Sequence, residues 1–530
     1  MASDARGHPP QGRTGQDREN QRMTALRVDR FVDAIAATDA GGATVALLAE
    51  DGEALTYADL AARVDACARS LADAGLAAGQ RAVLVGENSV DMIVVLLAAM
   101  RLGAWAVPLN ARMSASEIDG ICAHCAPRLA YFSAGSPEAV AHALRHGAMA
   151  GSADGLSRGL VALREDGTQA DGGDDVAVMI YTSGSTGTPK GVMLTHANLD
   201  FVTQASLAQE VLLPGDRIFH ALPISHSFGL ISALLCGLRA GATFQLATRF
   251  SAEQLGHAIL HDGITVFQGV PAMYARLVEW STQAGVPLTP NRLRMAYIGG
   301  SQIDATKKAQ TEALLGIRLH HGYGLTESAP AATRTFGHPP PSDVTAGWPI
   351  PGIEVVLRDE LGHDVAPGAR GEVCIRGPNV MKGYFRDPEQ TRAAIDAHGW
   401  LHTGDIGVFG PEGDLTIVGR IKDMIIRGGF NVYPAEVEAA IGGFAGVAQS
   451  AVLGRPLDGD EEVVAFIEPQ AGARIDTEAL ERFLRGKLAP YKIPRRYVLM
   501  ERLPASGTGK LLKAALKPLL EPGAAIEASR

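Results

Sequence analysis

The chain has 530 residues, more than one ordinary hydrophobic core serves, so two or more domains are expected. Hydrophobic residues make up 46% of the chain and charged residues 20%, a balance typical of a soluble globular protein. The 48 Lys and Arg against 58 Asp and Glu give a formal net charge of −10, which argues against binding to nucleic acid or to an anionic membrane surface. No stretch reaches the roughly 18 uninterrupted apolar residues that predict a membrane span.

The N-terminal residues and the cysteines indicate the cellular compartment of the protein. Residues 1–25 are polar, lack the apolar centre of a signal peptide, and are interpreted as a disordered tail. Five cysteines, an odd number widely spread, predict no disulfide framework and therefore a reducing cytoplasm. Cys122 and Cys125 form a CxxC pair, which can be redox-active or half of a zinc site. Together with Ile118 and Ile121 they fall at helical spacing, which favours a buried helix face.

Helical and β patterns alternate along the first half of the chain. Residues 55–74 predict a helix, 81–86 a strand, 90–103 an apolar helix and 104–109 another strand. The alternation continues with strands at 217–222, 242–247 and 265–269 and helices at 228–240 and 252–262. This order predicts α/β layers with largely parallel sheets. Residues 135–175 are rich in Gly, Ala and Asp and are expected to include a loose surface connection.

The second half of the chain changes pattern twice. Short β runs at 354–357, 371–376 and 415–418 predict a small β-barrel or sheet. After residue 419, helices at 434–441 and 477–488 and strands at 447–453 and 463–468 predict a separate small α+β domain. We therefore predict an α/β protein with a large multi-subdomain N-terminal domain, residues 26–420, and a small α+β C-terminal domain, residues 421–530.

Residues 181–196 read YTSGSTGTPKGVMLTH and carry the strongest chemical signal. The apolar, β-branched run at 176–181 predicts a buried strand that leads into this loop. Free backbone N–H groups, hydroxyls and an ammonium together form an anion cradle; here they come from Thr182, Ser183, Gly184, Ser185, Thr186, Gly187 and Lys190. The spacing differs from the common nucleotide P-loop, since Pro189 precedes the lysine. The alternative is a solvated linker rich in Ser, Thr and Gly.

Four further motifs accompany this loop: HGYGLTES at 321–328, GWLHTGD at 399–405, GRIKDMIIRGG at 419–429 and LPASGTGK at 503–510. Together with the loop they resemble the adenylate-forming superfamily of acyl-CoA synthetases, adenylation domains and firefly luciferase. The resemblance extends over about residues 55–513. It implies ATP and Mg²⁺ as cofactors, coenzyme A as co-substrate, an active site between the two domains and a mobile C-terminal domain.

The resemblance also implies roles for individual residues. The loop up to Lys190 would hold the β- and γ-phosphates, Thr326 the α-phosphate and Glu327 the Mg²⁺. Tyr323, between Gly322 and Gly324, would stack on adenine, and Asp405 and Arg420 would bind the ribose. Lys422 would be the hinge, Gly428 and Gly429 would let pantetheine pass, and Lys510 would reach the carboxylate and the α-phosphate during adenylation. Without the resemblance, Asp405 would be read as an Asx-turn and Gly428–Gly429 as a hairpin turn.

Two stretches are predicted to line the acyl pocket. His226 and Phe228 match the histidine and aromatic gate of the family, and Gly299, Gly300 and Ser301 match a glycine-rich wall between adenine and acyl group. His226 could instead be a satisfied core histidine. No acid follows Phe228 in 229–232, which argues against an amino-acid substrate, and the apolar neighbours favour an apolar acid. Fatty and aryl acids remain alternatives.

These features predict an AMP-forming acid–thiol ligase, an acyl-CoA synthetase. A carboxylic acid would react with ATP to give acyl-AMP and pyrophosphate, and coenzyme A would then accept the acyl group. The expected partners are these small molecules and not nucleic acid, and the resemblance allows a homodimer. The alternatives are an enzyme that loads a carrier-protein thiol and a nucleotide-binding homologue without catalysis.

Overall fold

The computed structural model describes residues 27–38, 40–151, 159–163, 175–183, 189–336, 344–428, 430–457, 460–505 and 511–520. The α-helices in these ranges are α1 (Phe31–Ala36), α2 (Tyr57–Asp73), α3 (Val90–Arg101), α4 (Ala115–Cys125), α5 (Pro137–Arg145), α6 (His196–Ala208), α7 (Cys236–Ala240), α8 (Ala252–His261), α9 (Pro271–Ala284), α10 (Ala305–Leu315), α11 (Pro388–Ala394), α12 (Pro434–Gly442), α13 (Thr477–Arg485) and α14 (Lys513–Leu516).

The strands are β1 (Val45–Leu48), β2 (Ala54–Thr56), β3 (Arg81–Gly86), β4 (Trp105–Asn110), β5 (Leu129–Ser133), β6 (Met149–Ala150), β7 (Gly159–Leu163), β8 (Val176–Ser183), β9 (Pro189–Thr195), β10 (Arg217–His220), β11 (Thr243–Leu246), β12 (Val266–Gly269), β13 (Met295–Ile298), β14 (Leu319–Tyr323), β15 (Thr333–Arg334), β16 (Trp348–Pro349), β17 (Glu354–Arg358), β18 (Gly371–Arg376), β19 (Gly383–Tyr384), β20 (Leu401–Phe409), β21 (Leu415–Arg420), β22 (Ile425–Arg427), β23 (Phe430–Val432), β24 (Val447–Leu457), β25 (Asp460–Pro469) and β26 (Arg496–Leu499).

Two large sheets form the N-terminal part. One has the order β16-β15-β14-β13-β12-β10-β11-β1-β2 and the other the order β19-β9-β8-β4-β3-β5-β7-β6. The central pairs of both sheets are parallel and the edge pairs antiparallel, such as β1 with β2 and β9 with β19. The prediction of an α/β protein is confirmed, and the parallel pairs lie in the centres of both sheets.

A shared hydrophobic core joins these sheets through α3. Every residue of α3 from Met92 to Met100 is buried, as expected for a helix that is apolar all round. The same core includes Leu47 of the first sheet and Leu84 of the second. This common core fixes the position of one large sheet relative to the other.

Local chemistry accounts for where the predicted helices start and for what the 135–175 region contains. The predicted helix at 55–74 starts only at Tyr57, because Thr56 caps it through a reciprocal hydrogen-bond pair with Asp59. The described part of 135–175 includes α5, which Ser136 caps, and the expected loose connection stays a prediction, since residues 152–158 and 164–174 lie outside the described ranges. The helix after Phe228 begins as a π-helix, Phe228–Leu235, and continues as α7.

The CxxC pair is a buried helix face, as predicted: Cys122 and Cys125 are buried in α4 with Ile118 and Ile121. All five cysteines are buried, and the structure shows no disulfide among them. None of the helices in the described ranges has the length and apolarity needed to cross a bilayer.

A third, antiparallel sheet has the order β17-β18-β20-β21. Of the two predicted alternatives, barrel or sheet, the described strands give the open sheet, since no pairing among them joins β17 to β21. In β20 and β21, Asp405 lies opposite Arg420, which fixes two predicted site residues side by side.

Residues 425–520 contain their own cores. Successive residues of β25 alternate between two clusters, with Val463 and Ala465 in one and Val464 and Phe466 in the other, so both faces of the β24-β25-β26 sheet are covered. Two contacts to the N-terminal part involve cationic side chains. Lys307 donates to the carbonyl of Ala448 at 2.6 Å, and the Arg370 guanidinium lies 5.2 Å from the Tyr433 ring centroid.

Candidate active site

The carboxyl ends of β10, β12, β13 and β14 meet at one edge of the first sheet, because these strands are parallel neighbours. The segments that follow β10, β13 and β14 carry the predicted acyl-pocket and GYGLTE residues. Sheet topology therefore brings together motifs that lie about a hundred residues apart.

Thr326 and Glu327 lie in a short 3₁₀ turn, Thr326–Ser328, directly after this edge. Ser328 is buried, and its hydroxyl oxygen accepts a hydrogen bond from the backbone N–H of Leu325 at 3.0 Å. The hydroxyls of Ser227 and Thr326 lie 3.1 Å apart. Asn379, fully buried, donates to the carbonyl of Ser328 at 3.2 Å. The turn is therefore held from both sides before any ligand arrives.

Tyr384 connects the predicted magnesium ligand to the predicted phosphate lysine. Its hydroxyl donates to Oε1 of Glu327 at 2.9 Å, and the Lys190 ammonium lies 4.9 Å from its ring centroid. Burial, followed by the Glu327 carboxylate, raises the pKa of Tyr384, so the phenol stays protonated and remains a donor. Pairing of β19 with β9 creates this arrangement, with Tyr384 opposite Val192. Sequence analysis missed Tyr384, whose only signal is a Gly-Tyr pair.

Asp405, Arg420 and Tyr323 form a second polar cluster. Asp405 is buried; its Oδ1 accepts from Nε of Arg420 at 2.6 Å and its Oδ2 from the Tyr323 hydroxyl at 2.7 Å. Burial alone would lower the pKa of Arg420, but Asp405 raises it, so the guanidinium stays charged. The two residues predicted for ribose and the one predicted for adenine are thus in direct contact, and their ligand roles stay predictions.

Two glycines of GYGLTE are required by packing. A Cβ at Gly322 would lie 1.8 Å from the Tyr297 hydroxyl, and one at Gly324 would lie 2.1 Å from the carbonyl oxygen of Pro330. Neither position can carry a side chain without moving these neighbours. The backbone here is therefore packed close to a neighbouring strand and turn.

Two of the predicted acyl-pocket residues, Phe228 and Gly299, are neighbours. The rings of Phe228 and Tyr297 have centroids 6.1 Å apart, and a Cβ at Gly299 would lie 3.1 Å from Cζ of Phe228. Gly300 has φ +80° and is exposed together with Ser301. His226 is exposed, so it is not a core histidine.

Some predicted residues stand apart from this cluster or outside the described ranges. Lys422 is exposed in the 3₁₀ turn Ile421–Asp423. Gly428, φ +57°, forms the turn between β22 and β23, and its N–H donates to Asp460 at 2.7 Å, so it occupies a hairpin. Thr182 pairs with Lys190 across β8 and β9. The residues outside the described part of the chain are Gly184, Ser185, Thr186, Gly187, Gly429 and Lys510, with the side chain of Ser183.

The donor set near the 3₁₀ turn fits Mg²⁺. Glu327 and Thr326 supply a carboxylate and a hydroxyl, and hard oxygen donors are what this cation prefers. Glu327 would hold the ion, which would supply positive charge at the nucleotide phosphates, and Thr326 stays the predicted ligand of the α-phosphate.

Family models, sequence relatives and solved structures all match most of the chain. The family model described as AMP-binding enzyme matches residues 27–385, and that of the AMP-binding enzyme C-terminal domain matches residues 436–510. Feruloyl-CoA synthase from an Amycolatopsis species is 36% identical over 472 residues, covering 88% of this chain and 94% of that protein. Indoleacetate–CoA ligase from Aromatoleum aromaticum is 33% identical over 514 residues, covering 93% of this chain and 98% of the ligase. Among solved structures, ATP-bound MatB from Rhodopseudomonas palustris superposes with a TM-score of 0.81 at 30% identity, covering 93% of this chain and 99% of MatB.

Proposed function

The chain belongs to the AMP-binding enzyme family, and on this basis we propose that it is an ATP-dependent acyl-CoA synthetase. A carboxylic acid reacts with MgATP to give acyl-AMP and pyrophosphate, and the thiol of coenzyme A then takes the acyl group and releases AMP. The observation that carries the proposal is the joined arrangement of Glu327, Tyr384 and Lys190, together with the Tyr323–Asp405–Arg420 cluster, to which the same GYGLTE motif contributes Tyr323.

The physical task is to bring two anions together. A carboxylate must approach the α-phosphate, so cations and oriented donors have to offset the repulsion. Lys190 supplies positive charge toward the leaving pyrophosphate, and Thr326 donates to the α-phosphate. Lys510, from the C-terminal domain, bridges the carboxylate and the α-phosphate. Asp405 and Arg420 fix the ribose, so the reacting phosphorus has one position.

The acid is proposed to be apolar. Phe228, Tyr297 and Gly299 form one wall, and the π-helix that starts at Phe228 is buried and apolar over Leu230, Ile231, Leu234 and Leu235. No carboxylate follows Phe228 to pair with an α-amine. The feruloyl and indoleacetyl relatives favour an aryl-substituted acid, with a fatty acid as the alternative.

One C-terminal domain serves both half-reactions in this proposal. The domain boundary lies after residue 420, and rotation about the exposed Lys422 removes Lys510 and presents the hairpin at Gly428–Gly429 to pantetheine. A homodimer and a cytoplasmic location are proposed on the family resemblance and on the five cysteines without a disulfide.

The test is a panel of apolar acids of varied chain length and ring type, assayed with MgATP for pyrophosphate release and, by mass spectrometry, for acyl-AMP. Coenzyme A and a holo carrier protein are then offered in separate reactions. Free acyl-CoA in the first reaction is expected, and exclusive loading of the carrier would identify the rival acceptor. Lys510→Ala is expected to lose acyl-AMP formation by orders of magnitude while thioester formation from supplied acyl-AMP persists. Failure of every acid to give acyl-AMP would overturn the proposal.

A further inference from the structure

Three side chains with metal-ligand chemistry meet on one face of the β17-β18-β20-β21 sheet. Glu372 and Cys374 lie two residues apart on β18, so they face the same side, and His402 of β20 is the cross-strand partner of Cys374. Nδ1 of His402 lies 2.9 Å from Oε2 of Glu372 and 3.6 Å from Sγ of Cys374. One ligand atom from each residue lies within 4.8 Å of the others.

We propose that Glu372, Cys374 and His402 bind one divalent cation of the zinc class, with a fourth position left to solvent. Zinc accepts sulfur, imidazole nitrogen and carboxylate oxygen together, and usually takes four ligands in a tetrahedron. Bond lengths of about 2.3 Å to sulfur and about 2.0 Å to nitrogen place those two atoms roughly 3.5 Å apart in a tetrahedron. The Sγ to Nδ1 distance of 3.6 Å already has this value. The Glu372 oxygen, 2.9 Å from Nδ1, has to move outward from the imidazole to reach the spacing of two ligands of one ion.

The surroundings of His402 support metal binding. Its other ring nitrogen, Nε2, lies 3.8 Å from Oδ2 of Asp396, the carboxylate–histidine arrangement that commonly orients a metal-bound imidazole. A carboxylate and a thiolate together neutralise a divalent ion, and Arg358 offsets part of the charge of Asp396 from 3.4 Å. The side chains of Glu372 and His402 are 20% and 30% exposed, so an ion can enter from solvent.

The site is separate from the nucleotide cluster but adjacent to it. The backbone N–H of Gly404 donates a hydrogen bond to Oε1 of Glu372 at 2.9 Å. The cation would use the other carboxylate oxygen, Oε2, so this hydrogen bond can remain. Gly404 directly precedes Asp405. The inference rests on the ligand atoms alone and does not depend on the acyl-CoA synthetase activity.

The test uses Co²⁺ as a spectroscopic substitute for zinc, titrated into the intact chelator-treated protein without ATP. A thiolate-to-cobalt charge-transfer band in the near ultraviolet is expected to saturate at one equivalent and to disappear when Zn²⁺ displaces the cobalt. Cys374→Ser is expected to abolish the band. Cys125→Ser, a buried cysteine of the CxxC pair, is the matched control and should retain it. A cation at Glu327 has no cysteine ligand and would give no such band.

Absence of the band from the wild-type protein would overturn the inference. So would a band that survives in Cys374→Ser or disappears in Cys125→Ser. If Cys374→Ser does not fold, Glu372→Gln decides: it should weaken Co²⁺ affinity at least about tenfold, and an unchanged affinity would contradict the assignment.

Discussion

The hydroxyl of Tyr384 donates to Oε1 of Glu327 at 2.9 Å while its ring lies under the ammonium of Lys190, 4.9 Å from the centroid. One side chain thus fixes the distance between the proposed magnesium ligand and the proposed phosphate lysine. Because burial raises the pKa of Tyr384, this donor is present at every pH at which the enzyme would work. Tyr384 contacts Glu327 and Lys190 rather than a substrate atom, which makes it a positioning residue.

Tyr384→Phe is expected to keep the ring under Lys190 and lose the hydrogen bond. A hydrogen bond to a charged group is worth about 1.5–3 kcal/mol, so kcat/KM for MgATP in pyrophosphate exchange should fall roughly 10- to 100-fold. Tyr57→Phe is the control, because Tyr57 is buried and donates to the carbonyl of Ala242 at 2.8 Å, away from the site. It should lower stability and leave the kinetics unchanged. Wild-type kinetics in Tyr384→Phe would refute the positioning role.

Asp405→Asn is expected to weaken recognition of the ribose. The substitution removes the charge that pairs with Arg420 and keeps the shape of the side chain. KM for ATP should rise at least about tenfold, and the preference for ATP over 2′-deoxy- and 3′-deoxy-ATP should shrink, because the lost contact is the one that reads the hydroxyls. Asp200→Asn disrupts another buried pair, with Arg239, and should leave this preference unchanged. An undiminished preference in Asp405→Asn would place the ribose elsewhere.

Periodicity and motifs predicted most of the elements but not how distant elements meet. The apolar runs at 90–103 and 176–181 form α3 and β8. An apolar run is buried whichever element packs against it, so its own sequence is enough to predict it. Tyr384 reaches Lys190 only through the pairing of β19 with β9, and Ser227 reaches Thr326 only because β10 and β14 end at the same edge of one sheet. Such contacts depend on the order of the strands in the sheet, which cannot be predicted from a single sequence. The Asp405–Arg420 ion pair likewise needs the register of β20 and β21.

Gly299→Ala is expected to narrow the acyl pocket. The new methyl group would lie 3.1 and 3.2 Å from two ring carbons of Phe228, closer than ordinary contact, so the ring must shift. KM for the acid should rise several-fold, most for ring-bearing acids, while KM for ATP stays constant. Phe228→Leu added to the same chain should restore the acid KM. Gly120→Ala, which meets nothing within 4 Å, is the control. A parallel rise in both KM values would place Gly299 outside the acyl pocket.

Lys422→Pro is expected to separate the two half-reactions. Lys422 lies in a short turn closed by the N–H of Met424 on the carbonyl of Ile421, and proline fixes φ and thereby restricts rotation there. Acyl-AMP formation should stay within about threefold of wild type, while thioester formation slows by more than about tenfold. Lys422→Ala keeps φ free and should behave as wild type in both assays. Impaired adenylation with normal thioester formation would remove the hinge assignment.

Buried histidines should make the protein sensitive to mild acid. Burial, followed by Arg27, lowers the pKa of His196 to about 3, and burial lowers those of His220 and His321 to about 4 each. Nδ1 of His196 accepts the N–H of Val28 at 3.3 Å, so protonation there breaks a hydrogen bond. The unfolded chain binds a proton at each histidine below about pH 6.5, and the folded chain does not until near its lowered pKa.

The stability that depends on these neutral histidines is therefore complete above about pH 6.5 and is lost as pH falls toward 4. The free energy of unfolding then falls by up to roughly 1.4 kcal/mol per pH unit for each histidine. His196→Gln removes one of these groups, so its free energy of unfolding in urea should fall roughly 1 kcal/mol less than that of the wild type between pH 6.5 and pH 5.5. His363→Gln is the matched control, since the His363 side chain is 73% exposed in the folded protein. Identical pH dependence in His196→Gln and His363→Gln would show that His196 is charged, or free to become charged, in the folded protein.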